Sequence, residues 1–141
     1  MRSSRAINLI FVDSNIPMYL VGGAHPHRAE SQVLVERLIA GGQRLVTDAE
    51  VLQEILHRYT SIDRRNTIER AFRALLDIVD DVFAVEESDV LRAAEIVQNR
   101  ASFSARDAVH IAVMEHHGVH SILSFDADFD RWPGLKRIYA I

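Results

Sequence analysis

The sequence predicts an α/β fold built on a parallel sheet. Short apolar runs rich in β-branched residues, at 7–12, 44–46, 82–85 and 120–125, alternate with longer stretches of helical periodicity. These runs are apolar on both faces, as strands covered by helices on two sides must be. No linker, repeat or low-complexity tract interrupts the 141 residues, so one domain spanning 1–141 is expected.

The elements follow in order. Residues 7–12 read as a buried strand, and Asp13-Ser14-Asn15 after it are three good helix caps. Pro17 suits a helix's first turn, and Gly22-Gly23 end that helix. A second helix is expected over 27–40, with Leu34, Val35 and Leu38 inward and Gly41-Gly42 as its stop. After a strand at 44–46, Thr47-x-x-Glu50 reads as a capping box opening a third helix with Val51, Leu52, Ile55, Leu56 and Tyr59 on one stripe. Asp63 or Asn66 is expected to cap a fourth, with Ile68, Phe72, Leu75, Leu76 and Val79 as its apolar face. A strand at 82–85 precedes a fifth helix that starts at Ser88 and turns Val90, Ala94 and Val97 inward. Ser104-x-x-Asp107 is a second capping box, opening a sixth helix to His117 that is apolar nearly all round and therefore central. Strands at 120–125 and 135–141 close the chain.

Composition removes several classes of function. Sixteen basic residues against 20 acidic ones give a net charge of −4, so no general basic clamp for nucleic acid is expected. There is no cysteine, hence no disulfide, thiolate metal site or cysteine nucleophile. The only lysine is Lys136, and no Gly-Lys-Ser/Thr or Gly-x-Gly phosphate loop exists. Arg2 and Arg5 precede an apolar run too short for a signal peptide, and no stretch approaches a membrane span. A cytoplasmic protein that does not engage a membrane is the expectation.

In parallel sheets, ligands bind beyond the carboxyl ends of the strands. Asp13 follows the first strand, Asp126 and Asp128 follow the fourth, and Asp107 opens the central helix that feeds the fourth. Each has an ordinary explanation: Asp13 as a cap, Asp107 as a capping-box acid, Asp126 and Asp128 as turn residues. Glu54 reads as a solvent-facing partner for Arg58, four residues on. The combination says more. Acids gathered at strand ends in a partly buried crevice need a counter-charge, which a hard divalent cation such as Mg²⁺ or Mn²⁺ supplies through oxygen ligands. Such an ion can also activate a water and meet the charge of a phosphodiester.

These residues resemble a known family. Phe11-Val12-Asp13-Ser14-Asn15, Val51-Leu52-Gln53-Glu54, Ser104-Ala105-Arg106-Asp107-Ala108-Val109-His110 and Ser124-Phe125-Asp126-Ala127-Asp128-Phe129 are similar, in order, to the four acidic motifs of PIN-domain nucleases. His25-Pro26-His27 is similar to a segment common in the VapC-type toxins of that superfamily. The resemblance implies a three-layer α/β/α fold with a five-stranded parallel sheet of order 3-2-1-4-5. It implies a Mg²⁺- or Mn²⁺-dependent endoribonuclease acting on RNA, the toxin of a type II toxin–antitoxin pair. By the same resemblance Asp13, Glu54, Asp107 and Asp126 form the acidic catalytic and metal site, Asp128 assists as a metal ligand, and Ser14 and Ser124 support it. A homodimer inhibited by a small VapB-like antitoxin is implied as well.

Rival readings are weaker. Asp126-x-Asp128-x-Asp130 starts like a calcium loop, but Arg131 stands where glycine is needed and Arg137 where glutamate is. A phosphorylatable Asp13 lacks the neighbouring acids such sites use. His116, His117 and His120 suit a helix C-terminus better than zinc, and His25 and His27 read as surface residues. Arg58, Arg64, Arg65, Arg106 and Arg131 are candidates to hold flanking phosphates. The alternatives to a toxin are a catalytically inactive PIN-like interaction module and a PIN nuclease outside any toxin pair.

Overall fold

The computed structural model describes residues 8–140; Arg2, Arg5, Ile7 and Ile141, on which parts of the reading above fall, lie outside them. Strands β1 (Leu9–Val12), β2 (Arg44–Asp48), β3 (Asp81–Phe83), β4 (Ser121–Leu123) and β5 (Lys136–Ile138) form one parallel sheet in the order β3-β2-β1-β4-β5. This is the expected order. Among the described residues six helices complete the α/β/α layers: α1 (Asn15–Val21), α2 (Pro26–Ala40), α3 (Ala49–Ser61), α4 (Ile68–Leu76), α5 (Glu87–Asn99) and α6 (Ala105–His116). Short 3-10 segments lie at Arg65–Thr67 and Ala127–Arg131.

The central strand explains the sheet. Phe11 and Val12 are fully buried, and Phe11 pairs in register with Val46 on one side and Ile122 on the other. Truncating a fully buried Phe to Ala typically costs about 3–5 kcal/mol, so this strand is a main anchor of the core. The register also sets the site. Val12 pairs with Leu123, so the residues that follow, Asp13 and Ser124, emerge side by side at the carboxyl edge of the sheet.

Several local expectations need correction. The capping box of α3 does not sit at Thr47. β2 continues to Asp48 because Thr47 and Asp48 still pair with Val82 and Phe83 of β3. Asp48 is therefore the cap, its carboxylate accepting the Val51 N–H at 2.9 Å, while the Thr47 hydroxyl donates to the Val12 carbonyl at 2.9 Å. Leu56 lies 46% exposed, off the buried stripe. Neither Asp63 nor Asn66 caps α4; Thr67 precedes it, and Asp63 turns the chain with a positive φ of 55°. The buried face of α4 is Ala71 and Leu75, with Leu76 exposed and Val79 beyond the helix end. On α5 the inward face is Ala93 and Ile96, one step away from the predicted Val90 and Ala94, both exposed. Paired alanines at 93 and 94 leave that periodicity ambiguous.

Candidate active site

Asp13, on the end of the central strand, is held by three groups. Its Oδ1 accepts the Ser14 N–H at 2.8 Å, and its Oδ2 accepts the Ser124 hydroxyl at 2.6 Å and the Asn15 side-chain amide at 3.3 Å. Asn15 also donates to Ser124 Oγ at 3.2 Å and accepts the Phe125 N–H at 3.4 Å, which ties the two strand ends together. Ser124 is fully buried and receives the Asp126 N–H at 3.0 Å. A buried hydroxyl linking three partners orients the pair of acids on either side of it. Ser14 contributes through its backbone, and its side chain does not cap α1.

Asp126 caps the following 3-10 segment, accepting the Asp128 N–H at 2.9 Å, so the turn-residue reading holds beside any other role. Asp107 stands three residues into α6, where its own N–H is taken by the Ser104 hydroxyl at 3.1 Å. Asp13, Ser14, Glu54, Asp107, Asp126 and Asp128 line one open cleft of about 390 Å³. Ser124 lies beneath it.

Glu54 is not solvent-facing and does not pair with Arg58. It is 9% exposed, because it stands three residues from Val51 and next to Ile55 on the buried stripe of α3. Its partner is His110, the residue that sequence reasoning missed. His110 is fully buried on α6; its Nδ1 lies 2.9 Å from Asp48 Oδ2 and its Nε2 2.8 Å from Glu54 Oε1. Burial opposes the charge on this imidazole, but the Asp48 carboxylate, then its hydrogen bond and that of Glu54, raise its pKa well above the ordinary value. His110 is thus an imidazolium clamped between two carboxylates. A signal existed: it is the one polar residue within the apolar run of α6 from Ala108 to Met114, and a buried polar group requires partners.

Electrostatics mark the cleft. Burial pushes the Asp13 carboxyl up, against the pull of His110 and of the Ser124 hydrogen bond. Burial and then the Asp13 and Asp126 charges push Asp107 up to about 6. The carboxylates therefore repel one another without a cation.

The donor set fits a hard metal ion. Ligand atoms of Asp13, Glu54 and His110 lie within 4.8 Å of one another, as do those of Asp107, Asp126 and Asp128. Both His110 nitrogens are already engaged, so the free donors are carboxylate oxygens, the set that Mg²⁺ and Mn²⁺ prefer.

The remaining motifs have structural roles. His25 is exposed and caps α2, accepting the His27 N–H at 3.0 Å. His27 is more than a surface residue: its ring stacks on Phe125 at 4.0 Å, beside Asp126. His116 bonds Asp89 at 3.0 Å, and His117 stacks on Phe83 at 3.8 Å. Asp130 grips Arg137 through two bonds of 2.8 and 3.0 Å, and Arg137 in turn donates to the Ser124 carbonyl at 3.2 Å. Among the described residues, no helix is long and apolar enough to cross a membrane.

A parallel sheet of this order with converging acids at its carboxyl edge defines a class, and comparison with known proteins agrees: residues 10–135 match the family model of the PIN domain. The chain belongs to the PIN-domain family. Within it, the sequence is 54% identical over 130 residues to Ribonuclease VapC13 of Mycobacterium tuberculosis, covering 92% of this chain and 99% of that protein. It is 36% identical over 118 residues to Ribonuclease VapC23 of the same species, covering 84% and 93%. The fold is also that of M. tuberculosis VapC20, described as a sarcin–ricin loop cleaving toxin, with a TM-score of 0.73 at 22% identity over 90% of this chain and 97% of that one.

Proposed function

We propose that this chain is a metal-dependent endoribonuclease, the toxin of a VapBC-type toxin–antitoxin pair, folded as a single PIN domain over residues 1–141 and acting in the cytoplasm. The observation that carries the reading is the convergence of five carboxylates, from Asp13, Glu54, Asp107, Asp126 and Asp128, on one cleft. The 54% identity to a VapC ribonuclease supports the activity and the toxin role. An RNA substrate, a small VapB-like antitoxin and a homodimer complete the proposal. The likeness in fold to chains from VapBC complexes, such as that of Rickettsia felis bound to a promoter DNA fragment, supports the antitoxin.

Asp13, Asp107 and Asp126 would hold Mg²⁺ or Mn²⁺, with Glu54 and Asp128 as further ligands. Bound there, the ion supplies positive charge to the phosphodiester and lowers the pKa of a bound water. The chain's part is positioning. Ser124, Asn15 and the Ser14 N–H fix the Asp13 carboxylate, so its oxygens need not reorganise during the reaction. His110 engages one oxygen of Glu54 and so turns the other, Oε2, either to bind the ion or to orient the attacking water. Arg106, whose Nε lies 3.7 Å from Glu54 Oε2, stands at the cleft with a guanidinium suited to a phosphate oxygen.

The test is incubation of the purified, antitoxin-free chain with a pool of structured cellular RNAs, in Mg²⁺ or Mn²⁺, in chelator, and beside the Asp13→Asn variant. Discrete fragments seen only with metal and intact Asp13 are expected. Absence of cleavage by folded, metal-loaded protein would move the reading to an interaction module.

A further inference from the structure

A second groove, of about 390 Å³, joins the acid cleft. It lies between α1, the C-terminal end of α3 and the turn before α4, and Asn15, Met18 and Arg58 border both hollows. We infer that this groove is a subsite for one nucleotide of single-stranded RNA flanking the cleaved bond, the base lying on its apolar wall and the phosphate meeting Arg58 and Arg64. The inference rests on the ribonuclease reading above and adds to it the place where the substrate is gripped.

Three observations carry it. The first is charge. Among the described residues Arg58 and Arg64 make no ion pair, whereas Arg106, Arg131 and Arg65 approach Glu54, Asp128 and Asp63 at 3.7, 3.5 and 3.8 Å. In a chain of net charge −4 with its acids gathered in the adjoining cleft, two unpaired guanidiniums mark where an anionic strand can lie. Arg64 is set in place by its backbone: Asp63 takes a left-handed conformation, and the Arg64 N–H donates to the Tyr59 carbonyl at 2.7 Å.

The second is the wall. Met18, Tyr19 and Ile62 line the same groove, where the largely buried Tyr59 shows only its edge, and Ile62 is 43% exposed. Aromatic and apolar side chains beside arginine are what an unstacked base requires. The third is an orphan. Thr67, another lining residue, is 3% exposed, and its hydroxyl has no hydrogen-bond partner. A buried hydroxyl without a partner is uncommon in a folded protein, and a ligand atom is one way to satisfy it.

The experiment uses full-length protein loaded with Mn²⁺ and carrying Arg64→Ala or Ile62→Glu. Both positions are exposed and lie outside the carboxylate cleft. The probe is a fluorescent random-sequence single-stranded RNA of about eight nucleotides, with binding followed by anisotropy across a salt series. Cleavage of the cellular RNA pool is scored in parallel. Arg64→Ala should weaken binding about tenfold and reduce the slope of log affinity against log salt by about 0.7, the value for one phosphate contact on a single strand. Ile62→Glu should weaken it at least as much, by repelling the phosphate. Both variants should raise KM for cleavage while leaving kcat and Mn²⁺ affinity near wild type. Wild-type RNA affinity and KM in both variants, with the wild type itself cleaving, would overturn the subsite alone. Unchanged RNA binding together with lost affinity for a protein partner would overturn it in favour of a protein-docking groove. Failure of the wild type to bind or cleave any RNA would overturn the ribonuclease reading and the subsite with it.

Discussion

Replacing His110 by Gln is the sharpest probe of how this site is held. The imidazolium makes two charge-assisted hydrogen bonds, of 2.9 Å to Asp48 and 2.8 Å to Glu54, with no exposed surface of its own. Such bonds contribute about 1.5–3 kcal/mol each, and removing one partner of a buried ion pair costs about 3–5 kcal/mol. Glutamine can keep at most part of one bond, so a loss of about 3 kcal/mol is expected. For a chain of this length that is about 10 °C in melting temperature. The assay is urea and thermal unfolding in chelator, with His116→Gln as control. His116, on the same helix as His110, bonds Asp89 of α5, but it is 41% exposed, so its loss should stay within about 1 kcal/mol. The sign of the pH dependence follows from the raised folded pKa of His110. Its stabilisation is fully present below the unfolded value of about 6.5, declines as pH rises beyond it, and vanishes above the folded pKa. The gap between wild type and His110→Gln should therefore narrow at alkaline pH. A loss no larger than that of the His116 control would refute the clamp.

Four further outcomes are expected. Asp13→Asn should lower RNA cleavage by about 10²-fold or more, the equivalent of several kcal/mol of charge stabilisation, with an unchanged far-ultraviolet circular dichroism spectrum. Ser124→Ala should cost about 1–3 kcal/mol of stability by leaving the Asp126 N–H without its partner and Asp13 Oδ2 with Asn15 alone, and should weaken divalent-ion binding about 10–100-fold, measured by calorimetric titration. In chelator, stability should fall as pH rises through about 6, because a carboxyl raised on folding, as that of Asp107 is, stabilises only while protonated. Mg²⁺ or Mn²⁺ at 100 times its Kd should add about 2.7 kcal/mol at neutral pH, read as a higher melting temperature; no shift would count against the metal site.

Much of this molecule is legible in its residues because the signals are local. Strand and helix identity follow from the apolar runs around Phe11, Leu45 and Ile122 and from caps such as Ser104, whose hydroxyl does accept the Asp107 N–H. Asp13, Asp107 and Asp126 are placed by the same logic, since an acid directly after a buried strand, or opening a buried helix, must lie at the sheet's carboxyl edge. What local pattern cannot set is the last half-turn of each element. The cap of α3 moved from Thr47 to Asp48 because pairing with β3 extends β2, and the face of α5 rotated by one residue where Ala93 and Ala94 are equivalent in size.

The partners of buried charges belong to tertiary structure alone. Glu54 and Asp48 lie 56 and 62 residues from His110 in the chain, and only the packing of α3 against α6 brings the three together. Hydrophobic period and capping act over a few residues, so they set the fold class, the edge of the sheet where chemistry can occur and the placing of Asp13, Asp107 and Asp126 there, but not that of Glu54. The tertiary structure decided which carboxylates share a cleft, which cation clamps Glu54 and which arginines remain unpaired beside it, because a Coulombic or hydrogen-bonded contact depends on distance in space and carries no period along the chain.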